Sequence, residues 1–152
     1  MTPEEYGNKA EEYFRMGYNC AQAVALAFKD HVNMNEEELA KTVSAFGGGM
    51  GGLREMCGAV SGTIFIYGLL KGYSDPSDQK AKTELYKDIQ EIANRNKEIN
   101  GSYICRELLA MKDITPSNLP SERNEENYKR RPCPEKINIA AKILAEFLEE
   151  KE

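Results

Sequence analysis

The residues with the widest chemical reach in this chain are its four cysteines, Cys20, Cys57, Cys105 and Cys133. A thiolate can act as a nucleophile, a metal ligand or one half of a disulfide, and its pKa and neighbours decide which. Each of the four stands at or just inside the predicted start of a helix. Unpaired backbone N–H groups and the helix dipole place about half a positive charge there, a setting that favours the thiolate and predicts lowered thiol pKa values. No two cysteines form Cys-x-x-Cys, so neither a thioredoxin motif nor a zinc ribbon is present, and a shared site has to be assembled by folding. Any one cysteine could instead simply pack, because free cysteine is among the most buried residue types. Other chemistry is thinly supplied. His31 is the only histidine and reads as a surface residue at a helix end, which leaves little for a Cys–His pair or a His-rich zinc site.

The second feature is the run Phe46-Gly47-Gly48-Gly49-Met50-Gly51-Gly52 ahead of Cys57. So many glycines cannot form a stable helix interior. Successive glycine N–H groups can cradle an anion, which makes Gly47, Gly48, Gly49, Gly51 and Gly58 candidate cofactor-binding positions. The run lacks the Gly-Lys-Ser/Thr ending of a P-loop and no strand precedes it, so a nucleotide is not the expected occupant. The N–H groups could stabilise a thiolate or a sulfide-bridged cluster, or the run could be a tight connection between helices.

The elements that must position these residues all read as helices. Thr2-Pro3-Glu4-Glu5 opens a helix that runs to about Arg15, with Gly17 as its stop. Asn19 caps a helix from Cys20 to about Lys29, with Ala21, Val24, Ala25 and Phe28 on one face. Asn35-Glu36-Glu37-Glu38 opens a short helix to about Ala45. A helix is expected from near Leu53 through Cys57 to about Leu70; apolar on most sides, it would be the buried central one, with Gly58 and Gly62 admitting a neighbouring backbone. A long amphipathic helix is expected from Pro76 to Glu98, striped by Leu85, Ile89 and Ile92 and stopped by Asn100-Gly101. Ser102 would cap a helix through Cys105 to about Met111. Thr115 to Pro132 reads as a loop, and the last helix would bury Ile137, Ala140, Ala141, Leu144 and Leu148. The expected fold class is all-α, a multi-helix bundle in a single domain.

Composition sets the outer limits. The chain has 152 residues and a net charge of -5, which argues against nucleic acid, since phosphate binding needs a basic face. Its one dense basic run, Lys129-Arg130-Arg131, follows several glutamates and reads as a solvated loop. No apolar run approaches the ~20 residues needed to span a bilayer, and the start carries no signal-peptide pattern. A cytoplasmic location without membrane contact is therefore expected, where cysteines are more often metal ligands, redox thiols or core packers than permanent disulfides. The apolar Ile64 to Leu70 segment would suit a homodimer if it is not wholly buried. Tyr13, Tyr18, Tyr67, Tyr73, Tyr86, Tyr103 and Tyr128 read as core-edge packers, with Tyr18 and Tyr103 near cysteines.

Taken together, Asn19-Cys20-Ala21-Gln22-Ala23, the glycine run, Cys57-Gly58-Ala59-Val60-Ser61-Gly62 and two later single cysteines resemble a known family. It is the redox-active protein family named C_GCAxxG_C_C for its cysteine pattern. The resemblance spans roughly Gly17 to Cys133, and the core here reads Cys-Gly-Ala-x-x-Gly with Met56 preceding Cys57. It implies that Cys20, Cys57, Cys105 and Cys133 are the functional positions, with Gly58, Ala59 and Gly62 as their frame. Related domains resemble parts of electron-transfer proteins in anaerobic bacteria, and the resemblance associates that wider group with an iron–sulfur centre.

Three functions follow as expectations. In the first, three or all four of Cys20, Cys57, Cys105 and Cys133 are metal ligands of an iron–sulfur electron carrier, [2Fe–2S] foremost, working with an unidentified redox partner protein. In the second, no metal is present and Cys57 attacks while Cys105 or Cys133 resolves the mixed disulfide. In the third, the chain is a helical binding or oligomerisation module whose cysteines only pack.

Overall fold

Side chains close the start of each early helix. The computed structural model describes residues 1–109 and 133–152. Helix α1, Pro3–Arg15, begins with a reciprocal capping box between Thr2 and Glu5. Helix α2, Cys20–Ala27, begins with the same device: Gln22 N–H donates to Asn19 Oδ1 at 2.9 Å and Asn19 N–H to Gln22 Oε1 at 3.0 Å. Helix α3, Glu36–Val43, is capped by Asn35, which accepts from Glu38 N–H at 2.8 Å. Such caps pair N–H groups that a helix cannot pair internally. Helices α4 (Gly58–Lys71), α5 (Gln79–Asn100), α6 (Cys105–Leu108) and α7 (Cys133–Glu150) follow, and between α3 and α4 lie a 3-10 turn, Ser44–Phe46, and a kinked turn, Gly47–Met50, with positive φ at Gly48 and Gly49. The chain is all-α: among the described residues there is no strand, only an isolated antiparallel bridge between Met56 and Ile104.

Helix α2 is the centre of the molecule. Ala21, Val24, Ala25 and Phe28 are buried as expected, but so are Ala23, Leu26 and Ala27. Helices α1, α3, α4 and α7 all pack on α2. This corrects the expectation that the apolar helix after the glycine run is the central one; α4 leaves Leu69 exposed and Ile64 and Phe65 half-buried. The small side chains of α2 let its neighbours approach closely. At Gly62 of α4 an added Cβ would stand 2.8 Å from Ala21 O. Helix α1 lies along α7, where Gly7 faces Asn138, whose Nδ2 donates to Asn8 and Glu11. Helix α5 is held at the periphery. Tyr67 OH donates to Asp88 at 2.7 Å, Arg95 forks onto Glu150 at 2.6 and 2.9 Å, and the Arg95 guanidinium stacks on Phe147.

Several expected boundaries move, each for a local reason. Helix α2 stops at Ala27 and passes into a 3-10 turn, Lys29–His31. Helix α4 starts at Gly58 rather than near Leu53, because Arg54 and Glu55 N–H groups bond back to Gly48 and Gly49 carbonyls and Arg54 adopts a positive φ of 62°. Helix α5 starts at Gln79 rather than Pro76, because Asp75 bonds Ser77 in a turn and Asp78 takes the cap. Helix α6 is a single turn: the Ser102 hydroxyl accepts from Ile104 N–H outside the helix instead of capping it. The last helix buries Ile137, Ala140, Ala141 and Leu144 as expected, adding Ile143, Ala145 and Phe147, while Leu148 is half-buried. The expected loop from Thr115 to Pro132, the helix end at Met111, Tyr128 and the run Lys129-Arg130-Arg131 lie outside the described residues.

Candidate redox site at three helix starts

Cys20 is the first residue of α2, Cys57 immediately precedes α4, and Cys105 is the first residue of α6. Two stretches of backbone bring the last two together. Cys57 N–H donates to Tyr103 O at 2.8 Å, Cys105 N–H donates to Glu55 O, and Arg106 N–H donates to Arg54 O at 3.3 Å. These bonds lay residues 54–57 against 103–106. Cys57 O accepts from Ser61 N–H at 2.9 Å, which joins the cysteine to the first turn of α4.

Glycine makes the approach possible. A Cβ at Gly49 would stand 2.7 Å from both Arg54 Cα and Cys105 Cβ, on a backbone already at φ 70°. A Cβ at Gly58 would strike Cys20 Sγ and lie 3.0 Å from Phe46 O. The sulfur of Cys20 therefore rests against the residue that follows Cys57. Gly47 backs in the same way onto Asn19, the cap of α2, whose Nδ2 donates to Ser44 O at 2.9 Å. The glycines thus serve by having no side chain at contacts with a cysteine or its cap. At Gly51 the expected anion-facing N–H is already bonded, to Ala45 O at 2.7 Å. Gly48 faces the Arg54 guanidinium.

The electrostatics of Cys57 run opposite to the expectation from helix dipoles. The residue is 9% exposed. Burial above all, and then the nearby Cys20 sulfur, push its thiol up to about 12; Val60 and Ala59 N–H groups oppose this, and Cys105 adds a smaller upward push. The helix-start donors are present, but desolvation and like charge outweigh them. Burial therefore favours the protonated thiol, opposite in direction to the lowered pKa expected at a helix start. Cys20 and Cys105 are half-buried. The Arg54 guanidinium donates to Cys105 Sγ at 3.7 Å.

Cys133 is the first described residue of α7, half-buried at the edge of the core. One turn on, Lys136 Nζ donates to Asn100 Oδ1 at 2.9 Å, bringing this end of α7 to the end of α5, just before Ser102. Cys20 and Cys105 both lie near enough to Cys57 to act on its thiol, and the start of Cys133's helix is tied to the end of α5 through Lys136 and Asn100. Among the described residues no three His, Cys, Asp or Glu side chains are grouped closely enough to hold a metal ion. The site offers buried and half-buried thiols, the donor type that soft metals prefer, with Cys20 Sγ set against Gly58.

Arg54 is the residue that sequence reasoning missed. It lies 51 positions from Cys105 in the chain, and nothing in periodicity or motif spacing links the two. Of the tyrosines, Tyr103 contributes its backbone carbonyl, Tyr13 and Tyr67 are buried, and Tyr86 is exposed rather than a core-edge packer. His31 is exposed and pairs through Nε2 with Tyr6 OH, as befits a surface histidine.

A family model described as "Putative redox-active protein (C_GCAxxG_C_C)" matches residues 18–147. The chain belongs to this family. The match takes in all four cysteines, the glycine run and Arg54. No curated protein and no solved structure matches the chain. No described helix of this C_GCAxxG_C_C protein is long and apolar enough to cross a membrane.

Proposed function

We propose that this C_GCAxxG_C_C protein is an electron carrier whose cysteines hold an iron–sulfur centre, a [2Fe–2S] cluster in the simplest case. The observation that carries this reading is the Cys57 thiol, buried and pushed up to about 12 beside two further cysteines. Such a thiol is a poor attacking group at neutral pH, but a metal displaces its proton outright on coordination. Cys20, Cys57 and Cys105 would be ligands, with Cys133 the fourth from the start of α7. When bound, the cluster would take up and return one electron. The chain's own part is to release thiol protons, to exclude water from Cys57 and to direct Val60 and Ala59 N–H groups at its sulfur, where such bonds tune a cluster's potential. A redox partner protein and a cytoplasmic setting complete the proposal.

The test is iron and acid-labile sulfide content, with a visible absorption spectrum, on protein purified and reconstituted without oxygen. About two irons and two sulfides per chain are expected, with both lost in Cys57→Ser. No iron under those conditions overturns the reading.

A second reading is favoured by the contact between Cys20 Sγ and Gly58, the residue after Cys57, and by the lack among the described residues of three side chains grouped to hold a metal ion. Here Cys20 and Cys57 form a dithiol couple. A partner disulfide is reduced to two thiols while Cys20 and Cys57 lose two electrons and two protons and join as a disulfide. Counting free thiols before and after oxidation separates the readings, since the couple predicts a loss of two.

A further inference from the structure

The cation at the edge of the sulfur cluster has no role in the reading above. Arg54 is half-buried, and its guanidinium touches Cys105 Sγ. Its backbone is fixed on both sides: Arg54 N–H bonds Gly48 O at 3.1 Å, and Arg54 O accepts from Arg106 N–H. The residue is held at a positive φ of 62°, a left-handed conformation that non-glycine residues rarely adopt. The neighbouring cation is neutralised, since Arg106 pairs with Glu55 at 3.0 Å. No described carboxylate pairs with Arg54. A guanidinium offers a planar fork of donors matched to carboxylate and phosphate oxygens, and this one is presented at a half-exposed sulfur beside side-chain-free Gly48.

We infer that Arg54 draws small anionic species, carboxylate- or phosphate-bearing, to the Cys105 edge of the redox site. The identification of the site as redox-active is taken from the preceding reading. A small anion is favoured over an acidic protein because the whole chain carries a net charge of -5 and repels an extended acidic surface, whereas one local guanidinium suffices for one anionic group.

The test uses full-length, reduced, metal-free protein and two alkylating probes, anionic iodoacetate and neutral iodoacetamide. In each reaction the Cys105 sulfur forms a C–S bond, iodide leaves and the thiol proton passes to buffer. Anything that changes thiolate content affects both probes alike, so their rate ratio isolates attraction of the anion. The ratio is read at Cys105 by peptide mass mapping and normalised to 2-mercaptoethanol. Arg54→Gln is expected to lower it about fourfold, the effect of one unit charge about 5 Å away in a water-like dielectric, and Arg54→Lys to keep most of it. An unchanged ratio in Arg54→Gln overturns the inference. Should that variant fold poorly, the wild-type ratio between low and high salt decides: a fall of similar size supports the inference and a flat response overturns it. Iron content is measured separately, so a failed metal reading and a failed Arg54 inference give different results.

Discussion

A single buried thiol governs how this site responds to pH. Cys57 holds its proton more tightly folded than unfolded, with its pKa moved from 9.0 to about 12. The unfolded chain therefore binds fewer protons above pH 9, and stability must fall as pH rises. The contribution is intact below pH 9 and is lost progressively as pH climbs towards 12. Urea titrations of reduced, metal-free protein at pH 8, 9.5 and 10.5 are expected to show a declining midpoint. In Cys57→Ala the part of the decline owed to this thiol should vanish. A wild-type midpoint that declines no faster than that of Cys57→Ala would show that burial does not hold the proton on.

At the scale of elements, the contact between α2 and α4 is built from backbone. Gly62 lies so near Ala21 O that an added methyl group meets a carbonyl, which cannot rotate away as a side chain would. Gly62→Ala is expected to cost about 1–3 kcal/mol through overpacking. Gly68, on the same helix, has nothing within 4 Å of its virtual Cβ, so Gly68→Ala should instead stabilise by up to about 1 kcal/mol through helix propensity. Thermal unfolding of the pair checks the assignment, and equal shifts of one sign would contradict it. The same contact places Cys20 against Gly58, so packing of α2 on α4 and placement of the sulfurs are one event.

At the scale of the whole molecule, the clustered sulfurs come from three distant stretches of chain and the fourth from α7. A centre ligated by all of them would tie α2, α4, α6 and α7 together and stabilise the folded state by mass action, about 2.7 kcal/mol for a ligand at a hundred times its dissociation constant. The reconstituted protein is therefore expected to melt several degrees above the metal-free form, and chelation should return it to the lower value. Identical melting temperatures would mean that any bound iron does not join these segments.

Much of this architecture was legible without coordinates because it rests on short-range chemistry. The caps at Thr2, Asn19 and Asn35 bond N–H groups three residues away, and the stop at Gly101 needs only a positive φ of 90°. Those features, the helical period of the buried faces and the four helix-start cysteines made the all-α class, the family and the candidate residues readable in order along the chain. Boundaries failed where other hydrogen bonds took the groups a helix start would need, as in the Asp75–Ser77 turn, at Ser102 with Ile104, and where Arg54 and Glu55 bond back to the glycine run. Tertiary structure alone decided that Cys20 and Cys105 neighbour Cys57, that burial pushes the Cys57 thiol up rather than down, and that Arg54 stands at Cys105. Desolvation and Coulombic coupling depend on distance and solvent access through space, and chain position carries neither.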